Sequence, residues 1–121
     1  ITPASTSNKI LVTAHINISS TSGYRTFTRF TRNNSAIAVG ATNVGSRTPV
    51  TMSSTGAGNQ GAIASMTFLD TPNSTSSQNY AVESCTESTG GSLRVNGEFT
   101  DSDNSSQSRS ISTITAMEIA G

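Results

Sequence analysis

The stretch that decides the fold is residues 9–19, KILVTAHINIS, in which apolar side chains alternate with polar ones. Successive side chains of a strand point to opposite faces, so this alternation predicts a half-buried β-strand. Leu11 adds an apolar side chain to the second face, which therefore also needs some cover. The apolar residues that would share the first face are Ile10, Val12, Ala14, Ile16 and Ile18.

The rest of the chain contains shorter segments that alternate or are apolar, and turn residues separate them. Asn33-Asn34 predicts a turn between two strands, and Asn96-Gly97 is a strong short-range hairpin signal. The aromatic residues of 24–32 lie on both faces of the predicted strand, so the sequence does not decide which face points inward. No segment longer than a turn has helical periodicity. The further predicted strands are residues 24–32, 35–39, 49–53, 62–70, 80–86, 93–95 and 111–119.

About eight strands at this spacing are typical of antiparallel sandwiches and barrels. We therefore expect an all-β fold, an antiparallel jelly-roll β-sandwich, in a single domain of 121 residues. Only 32% of the residues are apolar, against a usual 45–50%, and Ser, Thr, Asn and Gly account for 61 residues. Such a chain builds a thin core, so further burial at a subunit interface is expected.

The charge balance limits the partners. The formal net charge is zero, whereas nucleic acids and anionic membranes require concentrated Lys and Arg. No apolar run approaches the length of a membrane span. The single cysteine, Cys85, has no internal disulfide partner and is expected to be a small buried side chain. No nucleic-acid or membrane partner is predicted.

The residues needed for catalysis or metal binding are sparse. His15 lies mid-strand on a polar face, remote in sequence from Cys85. Asp101 and Asp103 faintly resemble a calcium loop, but the Gly and Glu that such a loop requires are missing. Glu83 and Glu87 would lie about 13 Å apart on one strand face, too far for glycosidase chemistry. We expect no enzyme activity, no catalytic or metal-binding residue and no cofactor.

Five segments together resemble a known module. They are SNKILV at 7–12, SRTPV at 46–50, SMTFLDTP at 65–72, NYAVES at 79–84 and STITAMEIAG at 112–121. The chain from about Asn8 to Gly121 resembles the C-terminal β-jelly-roll head of tail-fibre and other virion structural proteins of tailed bacteriophages, often cyanophages. This head is similar in architecture to the complement-head and tumour-necrosis-factor jelly rolls. Residues 1–7 would be a linker or the cut end of a longer chain, and residues 8–121 the head domain.

The resemblance implies a homotrimer whose inner sheet holds the first and last strands side by side. Residues 111–119 carry apolar side chains on both faces, which agrees with cover by a three-fold neighbour. Glu118 is expected to pair with an arginine across that contact. The predicted trimer-interface residues are Leu11, Ile114, Ala116, Met117 and Glu118.

By this resemblance the chain is a trimeric tail-fibre or appendage knob in the virion, bound to other virion proteins and recognising a glycan or protein on the host surface. The alternative is a capsid decoration or appendage-assembly protein without a receptor. Recognition is expected on loops 40–47, 55–61, 71–78 and 100–109. Arg25, Arg29 and Arg32 could contact an anionic glycan, form a solvated face or pair with Glu on a neighbouring strand. The candidate receptor contacts are Tyr24, Arg25, Asn73 and Tyr80.

Overall fold

The computed structural model describes residues 1–21, 23–42, 45–54 and 61–121, and none of these lies in a helix. Within the described residues the chain forms eight strands in two four-stranded antiparallel sheets, which confirms the all-β prediction. The strands are β1 Lys9–Ser20, β2 Thr26–Arg32, β3 Ser35–Ile37, β4 Met52–Ser54, β5 Ala62–Asp70, β6 Tyr80–Thr86, β7 Leu93–Val95 and β8 Thr113–Ile119.

The two sheets share one plan. In the β1 sheet, β5 runs along one side of β1, while β7 and β8 follow each other along the other side. In the β2 sheet, β6 runs along one side of β2, while β3 and β4 follow each other along the other. In each sheet, two short strands therefore pair with successive parts of the central strand, and the residues between them leave the sheet as a loop. In the β2 sheet this is the 38–51 loop, of which residues 38–42 and 45–51 are described, and in the β1 sheet it is the 96–112 loop. The first and last strands are adjacent, as the resemblance implies.

Where each loop leaves its sheet, a side-chain hydroxyl accepts a hydrogen bond from a backbone amide of the central strand. The Phe30 amide donates to Thr51 Oγ1 at 3.1 Å, and the Asn17 amide donates to Ser112 Oγ at 3.0 Å. The backbone of each loop supplies the complementary bond, from the Thr51 amide to Thr28 O and from the Asn96 amide to Asn17 O. Because buried backbone groups must find partners, these bonds allow a loop to leave the sheet without unpairing the central strand.

The core lies between the sheets and follows the predicted alternation of β1. Even-numbered residues of β1 and β5 face inward, and Phe30 of β2 packs against them. Thr26 and Thr28 are also buried, and their hydroxyls pair with those of Ser54 and Ser84. Such pairs satisfy polar groups inside the sandwich. Hydrogen-bonded Thr and Ser side chains therefore fill the part of the core that the few apolar side chains leave. The buried apolar core is Ile10, Val12, Ala14, Ile18, Phe30, Ala64 and Met66.

Several sequence-based details are corrected. Asn96-Gly97 does not form a hairpin: Asn96 adopts a positive φ of 65°, but the following chain enters the 96–112 loop, which an isolated Gly97–Arg109 bridge closes. Cys85 is exposed, because it lies on the outer face of β6 opposite Phe27. The predicted strand at 49–53 is shifted to β4, and those at 24–32, 35–39 and 111–119 are shorter than expected. The Asn33-Asn34 turn is confirmed, with φ values of 51° and 65°.

Loops and termini gather at two ends of the sandwich. The Tyr24 end holds residues 23–25 and 87–92, and the Asp70 end holds the Asn33-Asn34 turn, residues 71–79 and residues 1–8. The segment predicted as a linker lies against the Asp70 end, where Pro3 is buried and the Gln78 amide donates to Ile1 O at 2.8 Å. Jelly-roll topology and trimer assembly stay predictions.

Candidate functional site

The outer side of the β1 sheet carries no carboxylate on β5, β1 and β8 among the described residues, and we call this part the uncharged face. Arg94 of β7, which lies beside Ser19 and pairs with Asp101, is outside it. Its rows run across β5, β1 and β8, so that Leu11 lies between Leu69 and Met117, and Thr13 lies between Thr67 and Thr115. His15 occupies the next row, where its Nδ1 is 3.0 Å from Ser65 Oγ. The residues of the face are Leu11, Thr13, His15, Asn17, Ile63, Ser65, Thr67, Leu69, Thr113, Thr115, Met117 and Ile119, with Lys9 at the rim.

Large apolar side chains on this face are open to solvent. Ile63 is 63% exposed, Met117 50%, Leu69 46% and Ile119 37%. Leu69, Leu11 and Met117 are neighbours in one row and Ile119 is in the next, so most of this apolar surface is continuous. Contiguous apolar surface combined with depletion of charge is typical of the centre of protein interfaces.

The outer side of the β2 sheet has the opposite character. Arg29 of β2 lies beside Glu83 of β6, and Arg29 Nε and Nη2 both donate to Glu83 Oε2, at 2.9 and 2.8 Å. Both side chains are more than two-fifths exposed, so the pair stabilises the fold little but remains hydrated. Among the described residues the two faces therefore differ in charge, and the uncharged face has the composition of an assembly surface.

The predicted interface residues do not all share one surface. Leu11 and Met117 are paired on the uncharged face. Ile114 points to the inner side of the edge strand β8 and is 45% exposed, while Ala116 packs against the chain's own core. Glu118 accepts hydrogen bonds within its own chain. The face also includes Leu69, Ile63 and Ile119, which were not predicted; the odd-numbered alternation of β5 and β8 was the signal for them.

Glu118 ties the chain's first residues to its last strand. The Ala4 amide and Asn8 Nδ2 both donate to Glu118 Oε1 at 2.6 Å, and the Gly121 amide donates to Asn8 Oδ1 at 3.2 Å. Both hydrogen bonds, the one from Asn8 more than the one from Ala4, stabilise the charged carboxylate and hold the pKa of Glu118 below its ordinary value of 4.5.

Acidification should release this contact. A carboxylate with a lowered folded-state pKa contributes stability above its unfolded pKa, and the contribution is lost as the pH falls through the folded value. We expect the NMR shifts of the Ala4 amide and the Asn8 side chain to titrate together, with a midpoint below pH 4.5. Glu118→Gln should abolish this titration, and a midpoint at or above pH 4.5 would contradict the contact.

The candidate receptor contacts lie at opposite ends of the sandwich. Tyr24 and Arg25 are at the Tyr24 end, where a Cβ at Gly91 would come within 3.0 Å of Tyr24 Cδ1, so the ring is covered on one side. Asn73, exposed at a φ of 50°, and Tyr80 are at the Asp70 end. The structure therefore does not bring the four together into one site.

Tyr80 belongs to a cluster that joins the sheets. Asp70, at the end of β5, accepts at Oδ2 from Arg32 Nη1 at 2.6 Å and from the Tyr80 hydroxyl at 2.7 Å. The Asp70 side chain is 9% exposed and that of Arg32 28%. The pKa of Tyr80 is raised, mainly by burial and to a smaller degree by the hydrogen bond to Asp70. The hydrogen bond to Asp70 also raises the pKa of Arg32. Tyr80 is thus a structural residue with its hydroxyl engaged.

The Asp101 loop, whose faint resemblance to a calcium loop did not support a metal site, places arginines beside its carboxylate. Both carboxylate oxygens of Asp101 accept from Arg109 Nη2, at 3.0 and 3.2 Å, and Arg94 Nη1 lies 3.4 Å from Asp101. These guanidinium groups pair with the carboxylate and so offset its charge. Loops 71–78 and 100–109 are described throughout and contain many exposed residues. In loops 40–47 and 55–61, residues 43–44 and 55–60 lie outside the described residues.

A groove on the β2 sheet was missed by sequence reasoning. Its volume is about 340 Å³, and residues 48–50 of the 38–51 loop form one wall over the outer side of β2 and β6. The partial signal in the sequence was the second aromatic of β2, Phe27, on the face opposite Phe30. The lining residues are Phe27, Arg29, Thr48, Pro49, Val50, Glu83, Ser84 and Cys85.

Within residues 1–21, 23–42, 45–54 and 61–121, no group of three or more His, Cys, Asp and Glu side chains could hold a metal ion. Among the same residues there is no helix of the length and apolar character needed to cross a membrane. Comparison with known proteins adds no assignment: no family model, curated protein or solved structure matches the chain.

Proposed function

We propose that the chain is a non-enzymatic assembly and recognition module, a trimeric jelly-roll head of a bacteriophage tail fibre or similar virion appendage. The observation that carries the assembly part is the uncharged face, on which Leu11, Leu69 and Met117 form an exposed apolar row beside a row of three threonines. Copies of the same chain would cover this row.

Covering this face would offset a weakness of the single chain. The sandwich has a small apolar core, and its large apolar side chains on β5 and β8 are left in water. Burying apolar surface contributes roughly 25 cal/mol per Å², so a three-fold contact would add to the stability of each subunit. Because β1 and β8 are adjacent in this sheet, the arrangement also agrees with the inner sheet that the sequence resemblance implies.

In such a trimer the β2 sheet and the loops at both ends would remain in solvent. Loops 71–78 and 100–109 are the best-described candidates for contact with a host glycan or protein. Three equivalent sites on one knob would raise a weak affinity per site through multivalency.

One observation favours the second candidate, a capsid decoration or appendage-assembly protein. Tyr80 is engaged with Asp70, and the remaining candidate contacts are divided between opposite ends of the sandwich. A scattered set of contacts suits attachment to other virion proteins as well as it suits a receptor.

Two measurements test the proposal. Sedimentation equilibrium at micromolar concentration should give three times the 12.5 kDa chain mass, and a monomer would contradict the assembly. The purified protein should then adsorb to host cells and reduce phage infection by competition. Binding to capsids without adsorption to cells would replace the attachment role with decoration.

A further inference from the structure

The groove on the β2 sheet combines an apolar floor with a polar rim. Phe27 and Cys85 lie side by side in the register of β2 and β6, and Pro49 and Val50 form the opposing wall. Arg29 and Glu83, the next pair in the same register, lie at the rim. An apolar pocket with a few convergent polar groups is the usual form of a small-molecule site, and its volume is within the usual range.

The wall of the groove is held in place by the β2 sheet. The two hydrogen bonds of Thr51, to Thr28 O and from the Phe30 amide, fix the residue that follows the wall. Val50 O accepts from the Gly40 amide at 3.3 Å, and Pro49 restricts the backbone between these contacts. Because these bonds anchor the loop beside the sheet, the groove is largely formed before any ligand arrives.

The rim offers a donor and an acceptor side by side. The ion pair uses Glu83 Oε2, so Glu83 Oε1 and Arg29 Nη1 have no partner among the described residues. The charges of the pair cancel, so the groove does not favour an ionic ligand. A pair of neighbouring hydroxyls could donate to the carboxylate and accept from the guanidinium at once.

We propose that this groove binds an uncharged sugar ring, with the apolar C–H face of the ring on Phe27 and Pro49 and neighbouring hydroxyls on Arg29 and Glu83. A sugar has this combination of one apolar face and a hydroxyl edge, whereas a hydrocarbon would leave the ion pair without a partner. The proposal names a ligand class for the recognition role, and it rests on the proposed function only in requiring that the β2 sheet stays exposed.

Cys85 provides a direct probe of the groove. It is the only cysteine of the chain and it is exposed, so iodoacetamide would modify this site alone. We would measure the alkylation rate by mass spectrometry with a panel of neutral methyl glycosides that covers the common hexoses, pentoses, deoxyhexoses and N-acetylhexosamines. Cyclohexanol and glucuronate serve as an apolar and a charged comparison.

At a concentration about ten times its Kd, a bound glycoside should slow alkylation about tenfold by mass action. Glu83→Ala should raise the Kd about tenfold or more, because it removes a charge-assisted hydrogen bond, so the same glycoside concentration should slow alkylation about twofold or less. The matched control is Glu87→Ala, which removes an exposed carboxylate outside the groove.

The proposal would be overturned if only cyclohexanol or only glucuronate slowed the alkylation of Cys85, or if no compound did. It would also be overturned if glycosides slowed alkylation equally in the parent protein and in Glu83→Ala. The sedimentation mass of the same samples separates this result from the assembly. If the protein is a monomer and glycosides still protect Cys85, the sugar site is retained and the trimer proposal is wrong. If it is a trimer and glycosides do not protect Cys85, the trimer is retained and the sugar site is wrong.

Discussion

Met117→Lys should convert the assembled protein into monomers. Met117 is 50% exposed in the single chain, at the edge of the uncharged face beside Leu11, so a lysine there has room and water in the isolated subunit. In an assembly that covers this face, each copy would bury an ammonium group with no carboxylate on the face to pair with it. Burying an unpaired charge costs several kcal/mol, and more than one copy would incur this cost.

The measurement is sedimentation equilibrium over a concentration range, with circular dichroism to verify that the variant remains folded. Ser53→Lys is the matched control, because Ser53 is an exposed strand residue on the outer side of the β2 sheet. We expect Ser53→Lys to keep the mass of the parent protein and Met117→Lys to have the mass of one chain. A folded Met117→Lys protein with unchanged mass would exclude the uncharged face as the assembly surface.

The strands with regular alternation could be predicted from the sequence almost to the residue. β5 and β6 have the predicted bounds, and β1 extends only one residue further. In β1 and β5 the core-facing residues recur at every second position, which is the pattern that predicted these strands. Among the three-residue strands, β7 has the predicted bounds, whereas β3 and β4 were less accurate, since they are defined by pairing with β2 and not by any pattern of their own.

The errors have identifiable physical reasons. Asn96 has the positive φ that its sequence suggests, but pairing of β7 and β8 with the long strand β1 takes precedence over a local hairpin. Cys85 was assigned by residue type, although it alternates in phase with the charged Glu83 and therefore points outward. The groove could not be predicted, because its wall at residues 48–50 folds over β6 from a distant part of the sequence.

Asp70→Ala should cause the largest loss of stability among single substitutions of polar residues. The Asp70 carboxylate accepts from both Arg32 Nη1 and the Tyr80 hydroxyl, and it joins the β1 sheet to the β2 sheet. Removing one partner of a buried ion pair typically costs about 3–5 kcal/mol, because the other charge remains buried and unpaired. Since Arg32 is 28% exposed, we expect about 3 kcal/mol, the lower end of that range.

Denaturation by urea at one fixed protein concentration measures this loss, since the stability of an oligomer depends on concentration. Asp101→Ala is the control: Asp101 also pairs with arginines, but its Arg109 partner is 81% exposed, and such surface pairs contribute about 1 kcal/mol or less. Tyr80→Phe removes one of the two donors while keeping the ring, so its loss should lie between the two. Equal losses for Asp70→Ala and Asp101→Ala would mean that the sheets are held together by the apolar core without the Arg32–Asp70–Tyr80 cluster.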